Sequence, residues 1–222
     1  MFIKGFECGP LYTIAYLVSD AKSDESGFAA ACVIDCSYGS APLILQEAAA
    51  RHFRIERILN THGHFDHSAD NAALQKATGA PIFIHQSDEW RLTEPYKENF
   101  PIPFPMTPTC ASAYLNDGDI IQVGSLQFEV LYTPGHTRGG VCFYEAQHKV
   151  LFSGDTLFNG SVGRWDFVDS DLAALVRSLA RLMKLPDEVK VYPGHGECTT
   201  IGQERRTNPI IQQVWRALGA WG

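Results

Sequence analysis

The short segment Thr61–His67 limits what this chain can fold into and bind more than any other feature of its sequence. It reads Thr-His-Gly-His-Phe-Asp-His, so three histidines and an aspartate fall within six positions. The segment follows an apolar run, 55–59, that predicts a strand, and it precedes residues that favour a helix. Loops at the carboxyl ends of strands commonly carry functional side chains. The segment therefore predicts a metal site at such an edge.

The spacing within the segment favours two adjacent centres. His62 and His64 are two positions apart, so both imidazoles can point at one centre, whereas Asp66 and His67 project towards a neighbouring one. Imidazole and carboxylate together suit zinc, manganese or iron better than calcium or magnesium. So dense a cluster is rare by chance, which makes a purely structural role a weak alternative.

Three further candidate ligands occur singly, each beside a glycine and just after a strand-like run. They are His136, Asp155 and His195. Any one of them alone is a weak signal. With the segment they supply seven donors, too many for one tetrahedral ion and suited to two ions that share a bridging ligand. The remaining histidines are interpreted as structural: His52, His85 and His148.

The order of predicted elements indicates two sheets, each with helices on its outer side. The predicted strands are 11–18, 28–34, 55–59, 82–85, 120–123, 126–131, 141–144, 150–152 and 189–192. The predicted helices are 42–52, 68–76, 171–184 and 209–218. Packing the sheets face to face gives an α/β fold, the four-layer αββα sandwich, as one domain over residues 1–222. Residues 93–110 contain five of the twelve prolines and predict a long irregular loop, a candidate lid.

Composition excludes several functional classes. The net charge of −7 and the lack of a basic block argue against nucleic-acid binding. No apolar run approaches the roughly 20 residues needed to span a bilayer, and the first residues lack the pattern of a secretory signal. The six cysteines are scattered, so we expect them to be reduced. These features predict a cytoplasmic protein that acts on a small molecule.

The ligand pattern resembles that of the metallo-β-lactamase superfamily, whose T-H-x-H-x-D-H signature is matched by residues 61–67. Within it, the chain is most similar to short bacterial hydroxyacylglutathione hydrolase-like (glyoxalase II-like) proteins, over essentially its whole length. The resemblance implies the αββα sandwich and two divalent metal ions, with zinc favoured and iron or manganese as alternatives. It assigns His62, His64 and His136 to the first ion, Asp66, His67 and His195 to the second, and Asp155 to both as a bridge.

The resemblance also implies a hydrolase. Two cations would hold one water and lower its pKa from about 15.7 towards 7, and the resulting hydroxide would attack a thioester such as S-lactoylglutathione. One metal would polarise the carbonyl oxygen. Asp66 is expected to be catalytic as well as a ligand, because it can accept the hydroxide's proton. The commonest subclass of zinc β-lactamases has a cysteine at the place of Asp155, so the carboxylate disfavours a β-lactamase.

Substrate recognition is less defined by these motifs. Gly163–Phe167 resembles a G-R-[TS]-D-F segment of the short enzymes, with Trp165 in an unusual place. Arg164 is a candidate contact for an anionic substrate, and a salt bridge to a nearby aspartate is the alternative. Only 27 residues follow His195, so no separate C-terminal helical substrate domain is expected.

Three other functions fit the same motifs. One is a persulfide dioxygenase, a branch of the superfamily that uses one iron bound by two histidines and an aspartate. Another is a lactonase or phosphodiesterase on the same metal pair. The third is a metal-binding domain without catalysis, which the seven intact ligands disfavour. The sequence leaves the acyl group, the metal and the oligomeric state open.

Overall fold

The structure, a computed structural model, describes residues 1–97 and 101–218, with side chains up to residue 213. In the described part, the first sheet has six strands, which lie side by side in chain order. They are β1 Phe2–Cys8, β2 Thr13–Ser23, β3 Ala29–Ile34, β4 Phe53–Leu59, β5 Ile82–Ile84 and β6 Ala113–Tyr114. Strands β1 to β3 are antiparallel, and β3 to β6 are parallel. Four helices belong to this half: α1 Ser40–Ala50, α2 Phe65–Ser68, α3 Asn71–Thr78 and α4 Glu89–Thr93.

The second sheet is formed by the later part of the chain. Its strands are β7 Ile120–Val123, β8 Leu126–Tyr132, β9 Val141–Glu145, β10 Val150–Gly154, β13 Lys190–Pro193 and β14 Thr199–Thr200. They lie in the order β14-β13-β10-β9-β8-β7, and a two-stranded ribbon, β11 Leu157–Phe158 with β12 Ser161–Val162, follows β10. The helices of this half are α5 Leu172–Leu182, α6 Ile201–Thr207 and α7 Pro209–Leu218.

Buried apolar side chains lie on both faces of each sheet, because successive side chains of a strand point to opposite faces. The core is therefore divided into layers. In β2, Leu17 packs with Ile44 of α1 on the outer face, whereas Tyr16 faces the second sheet. In β10, Phe152 faces the first sheet, and Leu151 packs against α5 on the outside. Helix, sheet, sheet and helix therefore form four layers, and the predicted αββα sandwich is confirmed.

The strand directions bring the loops of both sheets to one edge. In the first sheet, β3 and β4 are parallel. In the second sheet, β10 and β13 are parallel, and β8 has the same direction as β10 because both are antiparallel to β9, which lies between them. Hydrogen bonds join the sheets at this edge, and three of them involve backbone carbonyls. The N–H of Val141 donates to the Thr61 carbonyl at 2.8 Å, that of Ile14 to the Gly194 carbonyl at 2.8 Å, and the Tyr16 hydroxyl to the Pro193 carbonyl at 2.7 Å.

The structure departs from the predicted helix over 68–76. That region forms two helices, α2 and α3, which are interrupted near Asp70. The Asp70 N–H donates to the Cys36 carbonyl at 3.0 Å, and its carboxylate accepts the N–H of Ala41 at 2.8 Å. These tertiary hydrogen bonds take the place of helical ones and fix the start of α1 beside the segment 61–67.

Several short or peripheral elements were not predicted: β1, β6, β11, β12, β14, α4 and α6. The two-residue strands are too short for a periodic pattern, and β1 is an edge strand with mostly exposed or half-buried side chains. The irregular region expected over 93–110 contains no strand or helix in its described part beyond the last residue of α4, Thr93; residues 98–100 lie outside that part. Its role as a lid stays a prediction. None of the described helices is long and apolar enough to cross a membrane.

Replacing Phe128 with alanine tests the core between the sheets. Its side chain is fully buried, and its ring lies 6.2 Å from that of Phe152. We expect the free energy of unfolding to fall by about 3–5 kcal/mol, because a large cavity forms. Urea denaturation measures the change. Leu43→Ala, at a position 44% exposed on α1, is the control and should change stability by less than about 0.5 kcal/mol. Equal losses in both variants would contradict the assignment of this core.

Candidate metal centre

The seven candidate ligands converge at the shared edge of the two sheets. They form three overlapping groups, and within each group the candidate ligand atoms lie within 4.8 Å of one another. The three-histidine group is His62, His64 and His136, and the mixed group is Asp66, His67 and His195. Asp155 forms a further group with His62 and His67.

Asp155 lies between the two main groups. Its Oδ2 is 3.5 Å from His136 Nε2 in the three-histidine group and 3.6 Å from His195 Nε2 in the mixed group. Its Oδ1 is 3.3 Å from His67 Nε2. One carboxylate therefore faces members of both groups, as a bridging ligand must.

Hydrogen bonds on the far side of the rings orient three of the histidines. His67 Nδ1 lies 2.8 Å from a carboxylate oxygen of Asp35. His136 Nδ1 lies 2.9 Å from the Arg164 carbonyl, and His195 Nδ1 lies 3.1 Å from the Leu11 carbonyl. Because these oxygens only accept hydrogen bonds, each Nδ1 carries a proton. In the neutral rings, the lone pairs of Nε2 then face the cluster.

Asp35 fixes two of the ligand residues and was not singled out from the sequence. Its carboxylate accepts hydrogen bonds from the N–H and the hydroxyl of Thr61, both at 2.8 Å, and from His67. With its proton donated to Asp35, the Thr61 hydroxyl accepts from His62 Nδ1 at 3.0 Å, which turns His62 Nε2 towards the cluster. Asp35 directly follows β3, so the same strand-end rule that found the ligands could have found it.

The donor set fits divalent metal ions. His67 Nε2 and His195 Nε2 are 3.3 Å apart, and the opposite nitrogen of each ring already donates a hydrogen bond, so in the neutral rings two lone pairs face each other. The buried Asp155 Oδ1 accepts no hydrogen bond of good geometry. Ligand atoms of a tetrahedral ion at about 2.0–2.1 Å are about 3.3 Å apart. Such an ion would accept both facing lone pairs and would give Asp155 Oδ1 a partner.

Charges in the cluster also favour cations. Burial lowers the pKa of His62 and of His64 well below the usual value, so both rings are neutral at pH 7. Burial opposes ionisation of Asp155, but the charge and hydrogen bond of His67 together with the charges of His136 and His195 outweigh burial and lower the pKa of Asp155 to about 2. For His67, burial lowers the pKa, yet the carboxylates of Asp155, Asp66 and Asp35 together outweigh burial and raise the pKa well above the usual value. Without metal, His67 therefore holds a proton that metal binding would displace.

A cleft of about 810 Å³ opens onto the cluster. Five of the candidate ligands line it: His64, Asp66, His136, Asp155 and His195. Aromatic side chains form much of its remaining wall, namely Phe65, Trp90, Phe158 and Phe167. The cationic side chains of the described lining, apart from the histidines, are Lys97 and Arg164. A cleft of this size accommodates a ligand of several hundred daltons.

Arg164 lines this cleft and also makes the local salt bridge that the sequence offered as an alternative. Its guanidinium pairs with both carboxylate oxygens of Asp166, at 2.9 and 3.0 Å, and lies 4.5 Å from the ring centre of Phe167. Both partners of the salt bridge are exposed, so it contributes little stability. Trp165 is 40% exposed and is absent from the described lining of the cleft.

The remaining histidines make local contacts in keeping with structural roles. His85 accepts the N–H of Ser87 at 3.2 Å, and its ring stacks 4.5 Å from that of Tyr132. His148 lies 2.9 Å from a carboxylate oxygen of Glu145 in its hairpin. The ring of His52 contacts that of Phe28 edge-on.

Comparison with known proteins extends the similarity beyond the ligand motif. The sequence profile of the metallo-beta-lactamase superfamily matches residues 24–195, which include all the candidate ligands. Hydroxyacylglutathione hydrolase GloC of Haemophilus influenzae is 34% identical over 185 residues, or 82% of this chain and 87% of that protein. The crystal structure of the BLEG-1 B3 metallo-beta-lactamase matches with a TM-score of 0.84 and 31% identity, over 95% of this chain and 99% of that one. The crystal structure of TTHA1623 in a di-iron-bound form matches with a TM-score of 0.79 and 36% identity, over 93% of this chain and 99% of that one.

Removing divalent metal from the purified protein is expected to lower its melting temperature. An ion that binds only the folded state stabilises it, by about 2.7 kcal/mol at a free concentration 100 times its Kd. Calorimetry of chelator-treated protein, before and after addition of zinc, measures the shift. His64→Ala, which removes one donor, should show a smaller response to zinc. The same melting temperature with and without zinc in the unaltered protein would contradict a metal site here.

Proposed function

Because the chain belongs to the metallo-beta-lactamase superfamily, we propose that it is a dinuclear metallohydrolase that cleaves thioesters of the hydroxyacylglutathione type. The proposal is carried by the convergence of five imidazoles and two carboxylates at one cleft. Such a donor set suits two ions that share a carboxylate. The similarity to the hydroxyacylglutathione hydrolase of Haemophilus influenzae supports the thioester as the substrate class.

In this proposal, the three-histidine group would hold one ion and the mixed group the other, and Asp155 would contribute a ligand to both. The comparable distances from Asp155 to His136 and His195 support the bridge. Zinc is the favoured metal, and the di-iron-bound relative supports iron as an alternative. A cytoplasmic location belongs to the same proposal and is supported by the six cysteines, all of which are free.

When bound, the ions would supply a hydroxide nucleophile at neutral pH and a Lewis acid for the carbonyl oxygen. Asp66 is the proposed general base. Burial opposes its ionisation, but the charge of His67 and the hydrogen bonds from His195 and Thr13 together outweigh burial. They hold the pKa of Asp66 well below the usual value, so the group is ionised. Its Oδ2 accepts a hydrogen bond from the Thr13 hydroxyl at 2.7 Å. A thiolate leaves readily, so the chain needs no strong general acid.

Arg164 and Lys97 are the proposed contacts for carboxylates of the substrate. Both line the cleft, and each pairs at present with an exposed carboxylate, Asp166 or Glu94. Exposed pairs of this kind exchange at little cost, so a substrate can take over either cation. The aromatic wall would contact the apolar parts of the bound thioester.

Hydrolysis of β-lactams is a second candidate, favoured by the similarity to the BLEG-1 B3 metallo-beta-lactamase. The carboxylate at Asp155 argues only against the subclass that has a cysteine at this place. A parallel assay with a chromogenic β-lactam distinguishes the two candidates. The persulfide dioxygenase and the lactonase or phosphodiesterase remain alternatives, and the dioxygenase would contain one iron and consume oxygen with glutathione persulfide.

Hydrolysis of S-lactoylglutathione, followed by thiol release, tests the proposed reaction together with elemental analysis. We expect turnover with two metal ions per chain. Asp66→Asn should lower kcat by about 10²–10⁴-fold, because it removes the general base. Asp117→Asn, at an exposed position, is the control and should leave kcat unchanged. Turnover by Asp66→Asn at the unaltered rate would refute the role of Asp66, and oxygen uptake by a one-iron protein would refute the hydrolase.

Arg164→Ala tests the substrate contact separately from the chemistry. We expect KM for S-lactoylglutathione to rise about tenfold while kcat stays nearly constant, because the contact is made equally in the ground state and the transition state. Steady-state kinetics at several salt concentrations measure the effect. Asp166→Asn, which removes only the local salt bridge, should not raise KM. A rise of KM in Asp166→Asn as large as that in Arg164→Ala would favour the structural role of the salt bridge.

A further inference from the structure

Asp88 is a buried carboxylate that the proposed reaction does not use. It ends the 3₁₀ turn Gln86–Asp88, and its side chain is fully buried. Its Oδ2 accepts the N–H of Gly63 at 2.9 Å, and its Oδ1 accepts the N–H of Gly139 at 2.7 Å. Gly63 follows β4 of the first sheet, and Gly139 lies between β8 and β9 of the second. A single carboxylate therefore joins loops of both sheets.

These two loops carry the whole three-histidine group. Gly63 lies between His62 and His64, and Gly139 lies three residues after His136. The ligand atoms His64 Nδ1 and His136 Nε2 are 2.9 Å apart across the two loops. A shift of one loop relative to the other would change that distance directly. Metal sites need ligand distances correct to about 0.2 Å, so this spacing matters for affinity.

Glycine is required at both donors because Asp88 approaches so closely, with its backbone carbonyl at Gly63 and with its carboxylate at Gly139. A Cβ atom at Gly63 would lie 2.7 Å from the Asp88 carbonyl oxygen, and one at Gly139 would lie 2.6 Å from Asp88 Cγ. Both distances are far below van der Waals contact, so a larger residue at either place would displace Asp88. The two glycines and Asp88 form one fitted unit.

Arg91 holds this carboxylate in turn. Its Nη1 is 3.2 Å from Asp88 Oδ1, its Nη2 is 2.5 Å from Asp169 Oδ2, and its side chain is only 3% exposed. A buried carboxylate without such a cation would be strongly destabilised. Asp169 lines the cleft, so the chain of contacts extends from the cleft wall through Arg91 and Asp88 to the histidine loops.

We propose that Asp88 is a positioning residue that sets the spacing of the three-histidine group, and that Arg91 and Asp169 hold Asp88 in place. This inference rests on the ligand set of the proposed function and assigns a role to residues outside it. Its consequence is selective. A substitution at Asp88 should weaken metal binding by the three-histidine group and leave metal binding by the mixed group unchanged.

Zinc binding by Asp88→Asn tests this selectivity without any activity assay. The amide keeps the size of the side chain but turns an N–H₂ donor towards a backbone N–H, so one of the two hydrogen bonds is lost. We expect zinc competition with a chelator to show about 10–100-fold weaker binding of one ion, as is typical when a residue that orients ligands is changed. After dialysis, elemental analysis should give one zinc per chain in place of two. The visible spectrum of the cobalt-substituted variant should match that of His136→Ala, which lacks a ligand of the same group.

Glu204→Gln is the matched control. Glu204 is also fully buried, and its Oε2 accepts the N–H of Gly160 at 2.9 Å and the amide of Asn208 at 2.8 Å. We expect this variant to lose stability yet to keep both zinc ions at the affinity of the unaltered protein. Loss of stability alone therefore cannot account for zinc loss in Asp88→Asn.

The outcomes separate this inference from the proposed function. If Asp88→Asn binds two zinc ions with unaltered affinity, or loses both ions equally, the positioning role is wrong. If Asp88→Asn does not fold, Arg91→Lys decides, because lysine keeps the charge but cannot reproduce the fork between Asp88 and Asp169. Selective loss of one zinc in Arg91→Lys supports the role, and unaltered affinity refutes it. Failure of the unaltered protein to bind two ions would instead overturn the ligand set itself.

Discussion

The geometry of the candidate metal centre depends on hydrogen bonds made on the outer sides of the imidazole rings. Imidazole lone pairs and carboxylates repel one another. Contacts outside the cluster must therefore hold these side chains close together. Here Asp35 holds His67 directly and His62 through the Thr61 hydroxyl, while the Arg164 and Leu11 carbonyls hold His136 and His195. These acceptors select the protonated nitrogen and thereby the one that faces the cluster. The ligand geometry is thus built before any ion enters.

The two-sheet architecture supplies the places from which these hydrogen bonds come. The candidate ligands follow β4, β8, β10 and β13, whose ends meet at one edge because they run in matching directions within their sheets. The apolar layer around Phe128, Phe143 and Phe152 fixes the two sheets face to face. Backbone hydrogen bonds between them, such as that from Val141 to Thr61, fix the edge itself. A displacement of one sheet would therefore separate ligands that belong to the same group.

The loop that follows β12, residues 163–171, contacts both the cleft and the candidate metal ligands. The Arg164 carbonyl orients His136 while its guanidinium lines the cleft, and the ring of Phe167 lies 5.4 Å from His64 and 5.7 Å from His136. Asp169 in the same loop reaches Asp88 through Arg91. One loop thus touches the proposed substrate contact, a ligand and the support of the histidine loops. The proposed substrate contact and the candidate ligands are therefore connected through this loop.

The sequence by itself determined the candidate ligands, the elements that carry them and the four layers. Periodicity records which face of an element is buried, and a ligand after a strand leaves a local pattern, so the segment 61–67 could be recognised without a structure. It did not reveal the roles of Asp35 and Asp88 or the hydrogen bonds that Gly63 and Gly139 both donate to Asp88. Those contacts join residues 25 to 51 positions apart, and a lone aspartate looks the same whether it faces water or a buried amide. Only the tertiary structure decided them, because a hydrogen bond depends on distance and direction in space, which local composition does not encode.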